Sequence, residues 1–165
     1  MSASWNMAVG ETSRLTATHE DNLHQPSGMG SLANLADTFA RQLFCAAFEW
    51  DVSAPPAITG YDAVDGEGRR FRIKGRKLTP FDGSCQLSAI RNLSNAPFDY
   101  LAAVLFDASS QVLRAAIVPV DLLPEFATYR RSVNAHFVHL GDAVWQSPRV
   151  QDVTAHLQAA LLRHR

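Results

Sequence analysis

The sequence has few of the features that mark membrane-bound, secreted or metal-stapled proteins. Its two cysteines, Cys45 and Cys85, form neither a metal-binding spacing nor a disulfide framework, so we expect buried free thiols in a reducing compartment. No apolar run approaches the roughly 18–20 residues needed to span a bilayer. The first ten residues lack a basic region followed by a long apolar segment. We therefore expect a cytoplasmic protein with no membrane partner and no secretory signal.

Several common catalytic motifs are also missing. The chain has no Gly-x-Ser-x-Gly elbow and no Walker loop, and Gly66 and Gly68 do not form a dinucleotide fingerprint. His136 and His139 lie in a strand-like segment, whose alternation would place them on opposite faces rather than around one metal. The formal net charge is −1, so the charge of the whole molecule argues neither for nor against a nucleic-acid partner.

What the sequence does contain is the composition of one globular domain. The 165 residues are 47% hydrophobic and 19% charged, enough for a sizeable core. Residues 1–30 lack sustained periodicity and end in a Pro/Gly/Ser stretch, which predicts a flexible N-terminal arm. Residues 31–165 are predicted to form a single domain.

The hydrophobic pattern predicts alternating helices and strands in this domain. Residues 98–107 are apolar on both faces, so we expect a buried strand in a sheet that helices cover. The fold class is therefore α/β (α+β), a mixed β-sheet flanked by helices. The predicted elements are a helix from Ser31 towards Trp50, a hairpin over 57–78, a short helix over 84–92 capped by Ser84 or Asp82, strands over 98–107 and 111–118, a helix over 119–133, and a last helix capped by Ser147.

The second strand of the hairpin is unusually basic. If residues 69–77 are extended, one face carries the cations and the other face carries Phe71 and Ile73, which point into the core. Two interpretations are open: a polyanion lies along this face, or the cations protect an exposed edge strand from aggregation. We call the four cations on this face the cationic stripe: Arg70, Arg72, Lys74 and Arg76.

The position of Asp62 depends on the hairpin register. A three-residue loop at 66–68 places Asp65 opposite Arg69 and Asp62 opposite Arg72, so that Asp62 shares the face of the stripe. A two-residue loop would instead turn Asp62 to the opposite face.

This hairpin resembles the PD-(D/E)xK, or restriction endonuclease-like, nuclease superfamily. The resemblance lies in Gly60-Tyr61-Asp62-Ala63-Val64-Asp65, the glycine turn, and Phe71-Arg72-Ile73-Lys74, and the order of elements extends it over about residues 31–118. It implies a restriction endonuclease-like fold, Mg²⁺-dependent phosphodiester hydrolysis and a homodimer. Asp62 would be a metal ligand, and Lys74 would orient the attacking hydroxide and contact the phosphate.

Arg72 departs from this family pattern, which has Glu, Asp or Gln at its position. An arginine cannot bind a cation and stays protonated. Three interpretations follow. A carboxylate from elsewhere replaces the missing ligand, with Glu49, Asp65 and Glu67 as candidates, and Glu49 is attractive because it ends the preceding helix. Alternatively, the site binds phosphate without cutting it, or Asp62 and Arg72 form a structural ion pair.

Nucleic acid, with DNA as the expected polymer, would contact both the hairpin and the element after it. Three function classes remain open: a metal-dependent endonuclease, a catalytically degenerate module that binds nucleic acid or a protein, and a nuclease-like fold with a purely structural role. The predicted nucleic-acid contacts are Arg70, Arg76 and Lys77 on the strand, with Gln86, Ser88 and Arg91 on the following helix.

Overall fold

The computed structural model of the protein describes residues 28–165. The chain runs in order through α1 (Gly28–Phe48), β1 (Asp51–Val52), α2 (Pro56–Thr59), β2 (Ala63–Val64), β3 (Arg70–Lys77), β4 (Tyr100–Phe106), β5 (Val112–Pro119), α3 (Leu123–Phe126), β6 (Ala127–Arg130), β7 (Ala135–Val138), α4 (Asp142–Gln146), β8 (Gln151–Asp152) and α5 (Thr154–Arg163). Short 3₁₀ turns occupy Leu93–Asn95, Val120–Leu122 and Arg131–Val133.

The main sheet has six strands in the order β1-β2-β3-β4-β5-β8, and β6 and β7 form a separate two-stranded hairpin. Strands β3 and β4 are parallel, whereas the other neighbouring pairs are antiparallel. The predicted α+β class with a mixed sheet is confirmed.

The central strand β4 is buried on both faces, as its continuous apolar run predicts. On one face, Ala102, Val104 and Phe106 join a cluster that includes side chains of α1 and α5. On the other face, Leu101, Ala103 and Leu105 pack with Leu87, Ile90 and residues 118–144. This second face is thus covered largely by extended segments and short helical turns, not by the long helix that we expected.

Four predicted element boundaries are wrong. The first helix begins at Gly28, so Ser31 lies inside it. The segment 119–133 contains only a short helix before β6, and the last helix begins at Thr154 because residues 151–152 pair with β5. The first half of the hairpin contains α2 before β2. The predicted arm over residues 1–30 lies outside the described residues, except for its last three positions, which belong to α1.

The helix predicted over 84–92 does not form. Leu87 and Ile90 are buried three residues apart, a spacing that also fits one face of a helix. In the structure the backbone N–H of Leu87 donates to the carbonyl of Val138, and Ile90 exchanges hydrogen bonds with His136. These long-range bonds to β7 hold the segment extended.

Within the described residues, no helix is long and apolar enough to cross a membrane.

Candidate functional site

The hairpin between β2 and β3 has the register that a three-residue loop requires. Ala63 pairs with Phe71, and the backbone N–H of Asp65 donates to the carbonyl of Arg69 over 3.1 Å. The turn is held by Asp65 Oδ1, which accepts the N–H groups of Glu67 and Arg69, and by Gly68, whose φ of 78° favours glycine. Asp62 therefore lies opposite Arg72, on the face of the cationic stripe.

Asp62 is buried among cations. Its Oδ2 accepts the backbone N–H of Ile73 at 2.8 Å and lies 3.7 Å from the Arg72 guanidinium. Its Oδ1 lies 3.5 Å from the guanidinium of Arg41, which α1 brings to the hairpin. Burial raises the pKa of Asp62 above its ordinary value, although the Ile73 N–H and the two arginines act in the opposite direction.

Lys74 is also buried, with 6% of its side chain exposed. Its Nζ donates to Ser88 Oγ at 2.8 Å and to Asp37 Oδ2 at 3.3 Å, and Ser88 Oγ donates to the same Asp37 oxygen at 3.0 Å. Burial lowers the pKa of Lys74. The ammonium group is thus held by side chains of two other segments, α1 and the segment after β3.

Asp37 reaches Lys74 because α1 runs close against β3. Asp37 Oδ1 accepts the backbone N–H of Gly75 at 2.9 Å. At Gly75, a Cβ atom would lie 2.4 Å from the carbonyl oxygen of Ala36 and 2.9 Å from the Cβ of Ala40, so only glycine permits this approach. Strand β2 has only two residues, so it does not pair with the second half of β3. There the carboxylates of Asp62 and Asp37 accept the backbone N–H groups of Ile73 and Gly75, which would otherwise be unpaired at a sheet edge.

Each cation of the stripe has an aspartate partner. Arg70 holds Asp99 through two guanidinium hydrogen bonds, and this contact lowers the pKa of Asp99. The like charges along the strand are therefore compensated within the protein. The pairs are Arg70 with Asp99, Arg72 with Asp62, Lys74 with Asp37, and Arg76 with Asp82.

We call the ion pairs of Asp62 with Arg41 and Arg72, together with that of Lys74 with Asp37, the Asp62 cluster. None of the three proposed replacement acids is an ion-pair partner in this cluster. Glu49 is exposed just after α1, Asp65 holds the turn and pairs with Arg69, and Glu67 is exposed beside the same arginine. The acid that lies in the cluster is Asp37, which the sequence interpretation missed. A signal was present: Asp37 and Arg41 are four residues apart, so both lie on one side of α1.

The contacts at Asp62 do not favour a divalent cation. Two guanidinium groups lie within 4 Å of its carboxylate, and a bound Mg²⁺ would be repelled by both. In residues 28–165, no group of three or more His, Cys, Asp or Glu side chains is arranged to hold a metal ion. The residues present do not fit Mg²⁺ ligation, and the metal role of Asp62 and Glu49 remains a prediction.

The other predicted nucleic-acid contacts are dispersed. Lys77 is exposed, and its Nζ donates to Ser110 Oγ at 3.2 Å. Gln86 and Arg91, predicted to lie on a helix, instead border the β6–β7 hairpin. The Gln86 side-chain oxygen accepts from Arg130 at 3.1 Å, and Arg91 donates to the carbonyl of Val133 at 2.8 Å.

Three arginines around this second hairpin lack an acidic partner. Among the described residues, no carboxylate lies within salt-bridge distance of them, in contrast to the arginines of the stripe. The guanidinium of Arg130 lies 4.6 Å from the centre of the Phe137 ring, and Tyr129 is half exposed. We call this set the unpaired arginines: Arg91, Arg130 and Arg131.

Two open cavities share one lining residue, Asn92. The larger, of about 440 Å³, is lined by Asn92, Leu93, Ser94, Tyr129, Asn134 and His136. The second, of about 350 Å³, shares Asn92 and includes both Arg72 and Arg91. Arg72 therefore lines a cavity.

Comparison of the chain with protein-family models gives no match, and neither does a search of curated proteins.

Proposed function

We propose that this domain binds nucleic acid without hydrolysing it, on a nuclease-like hairpin whose acidic and basic groups have become structural ion pairs. The observation that carries this proposal is that Asp62 and Lys74 are both paired with groups of the protein itself. Asp62 lies between two arginines, and Lys74 is enclosed by Asp37 and Ser88. Metal-dependent hydrolysis needs carboxylates open to a cation and a lysine that can reach the phosphate.

The two groups that the resemblance makes catalytic have another role in this arrangement. The carboxylate of Asp62 accepts the N–H of Ile73, and Lys74 links β3 to α1 through Asp37. Removing either charge would leave its partner buried or half-buried without compensation. This supports the interpretation in which Asp62 and Arg72 form a structural ion pair.

Support for a nucleic-acid ligand comes from the charges that remain uncompensated. Arg91 lines a cavity that shares Asn92 with a second cavity, whose lining includes a half-exposed tyrosine, two asparagines and a histidine, a combination suited to phosphates and bases. The proposal thus keeps the predicted contacts Gln86 and Arg91. It moves the main contact surface from the cationic stripe to the β6–β7 hairpin.

The test is a combined binding and cleavage assay. Labelled single-stranded and duplex DNA and RNA are incubated with the protein in EDTA and in Mg²⁺. Binding is followed by anisotropy, and strand length is followed on a denaturing gel. We expect similar binding in both buffers and intact strands in both. Mg²⁺-dependent cleavage that disappears in Asp62→Asn would overturn the proposal, as would absence of binding to all four ligands at low salt.

A further inference from the structure

We infer that the β6–β7 hairpin and residues 91–94 form a subsite for an unpaired nucleotide of a single strand. This inference rests on the proposed nucleic-acid function and adds the class of ligand and its orientation. The base would lie in the cavity that contains Tyr129, and the phosphate would lie in the neighbouring cavity that contains Arg72 and Arg91.

The larger cavity has the chemistry of a base site. The Tyr129 side chain is half exposed, and its ring centre lies 5.0 Å from that of His136, so two aromatic rings border the same space. The Tyr129 hydroxyl donates to Asn134 Oδ1 at 2.8 Å, which fixes the orientation of the tyrosine. Asn134 and Asn92 carry amide groups that can donate to and accept from a base edge. Stacking on aromatic rings requires an unstacked base, which duplexes do not offer.

The smaller cavity has the chemistry of a phosphate site. Arg72 is paired with Asp62 at 3.7 Å, but no side-chain hydrogen bond within residues 28–165 involves its guanidinium and 21% of its side chain is exposed, so its donors can reach a phosphate while the ion pair persists. Arg91 is anchored by one bond to Val133, which leaves its other donors available. Two guanidinium groups at one cavity suit the several acceptor oxygens of a phosphate.

The two cavities are adjacent, because Asn92 lines both of them. Asn92 has a φ of 56°, and Ile90, two residues before it, is bonded to His136 of β7. One short segment therefore connects the aromatic wall to the arginine wall. Arg131, exposed at the tip of the hairpin, would meet a neighbouring phosphate of the strand.

The test compares single-strand and duplex binding by fluorescence anisotropy. The probes are a labelled oligothymidine and a hairpin duplex of equal charge. We expect the wild type to prefer the single strand. Tyr129→Ala should weaken that binding about tenfold, which is ~1.4 kcal/mol, whereas Tyr129→Phe should retain most of it because the ring remains. Phe81→Ala, at a fully exposed aromatic elsewhere, is the matched control and should bind as the wild type does.

A second variant tests the phosphate cavity by a different readout. Arg91→Ala should reduce the slope of log affinity against log salt by about 0.7, the value for one phosphate of a single strand. Arg163→Ala, at an exposed arginine of α5, should leave the slope unchanged. Folding of each variant is checked by circular dichroism.

The outcomes separate this inference from the proposed function. If the wild type binds nucleic acid but Tyr129→Ala and Arg91→Ala bind equally well, the subsite is wrong and the proposed function stands. Equal affinity for duplex and single strand also overturns the subsite. If the wild type binds no nucleic acid, both fail together.

Discussion

Lys74, which the resemblance in sequence would make catalytic, has only 6% of its side chain exposed. Its hydrogen bonds go to Asp37 and Ser88, which lie on other segments of the chain. The sequence-based interpretation assigned Lys74 a contact with phosphate. In the structure, its contacts join α1, β3 and the segment after β3. We therefore expect Lys74 to contribute to the stability of the fold.

Replacing Lys74 by methionine should therefore lower the stability of the protein. The substitution keeps most of the apolar volume but leaves Asp37 without its cation, and we expect the free energy of unfolding to fall by about 1–3 kcal/mol. Urea denaturation measures this change. Lys77→Met, at an exposed lysine of the same strand, is the control and should change the value by less than about 0.5 kcal/mol. Equal, small effects would show that the Lys74 contacts contribute nothing.

Asp62 gives a prediction for the pH dependence of stability. Its pKa in the folded protein is raised above the ordinary value of 3.8, mainly by burial. The folded state then binds more protons than the unfolded state as the pH rises above this value, so the contribution of Asp62 to stability falls.

Asp62→Asn lacks this contribution but keeps an acceptor for Ile73. The free energy of unfolding of the variant minus that of the wild type should therefore rise as the pH rises above the ordinary pKa of 3.8. Urea titrations of both proteins across that range give the difference. A difference that falls with pH would mean that Arg41 and Arg72 dominate over burial and depress the pKa.

Arg72 allows a test of whether its charge keeps a divalent cation away from Asp62. Arg72→Glu replaces the cation beside Asp62 by a second carboxylate, which repels Asp62 unless a divalent ion lies between them. We expect added Mg²⁺ to raise the melting temperature of Arg72→Glu but not that of the wild type.

Arg72→Gln, which removes the cation without adding an acid, is the control for this experiment and should respond little to Mg²⁺. A wild type stabilised as strongly as Arg72→Glu would contradict our description of the cluster. If Mg²⁺ stabilised neither protein, the scaffold would lack more than one ligand.

At the scale of elements, the close contact of α1 and β3 determines the cluster. The sequence predicted α1 from its apolar spacing and the hairpin from its glycine turn, and both are present. It did not predict that Gly75 lets α1 pack closely enough against β3 for Asp37 to contact the strand. This contact joins residues almost forty positions apart, and local patterns do not encode it.

Gly75→Ala should disrupt this contact. The new methyl group would meet the backbone oxygen of Ala36, so α1 must shift and Asp37 must move from the Gly75 N–H. We expect the free energy of unfolding to fall by about 1–3 kcal/mol. Gly66→Ala is the control, because a Cβ there has no other atom within 4 Å. Thermal or urea denaturation of the two variants checks the prediction, and equal stabilities would contradict it.

The segment 84–92 shows where local patterns are ambiguous. Leu87 and Ile90 are buried whether the segment is helical or extended, since a three-residue spacing fits either. Hydrogen bonds to β7 decide between the two, and these join residues about fifty positions apart. The hairpin register, by contrast, follows from neighbouring residues, because Gly68 and Asp65 specify the turn. Of the two loop lengths that the sequence left open, the structure has the three-residue loop, which places Asp62 opposite Arg72.

For the whole molecule, the net charge near zero gives no indication of how the charged side chains are distributed. The chain has 15 Lys and Arg residues and 16 Asp and Glu residues, and its formal net charge is −1. The stripe that dominates the sequence is compensated by aspartates from α1, the hairpin and two loops. Three of the arginines without an acidic partner, Arg91, Arg130 and Arg131, lie instead around the second hairpin. This asymmetry becomes visible only in three dimensions.

We conclude that the protein's own cations neutralise the acids of the candidate site. The most direct measurement is a calorimetric titration of the wild type with Mn²⁺, beside Asp62→Asn. We predict no saturable binding to the wild type, and the same baseline for the variant. A one-site isotherm in the wild type that is lost in Asp62→Asn would establish a metal site at Asp62 and contradict the account.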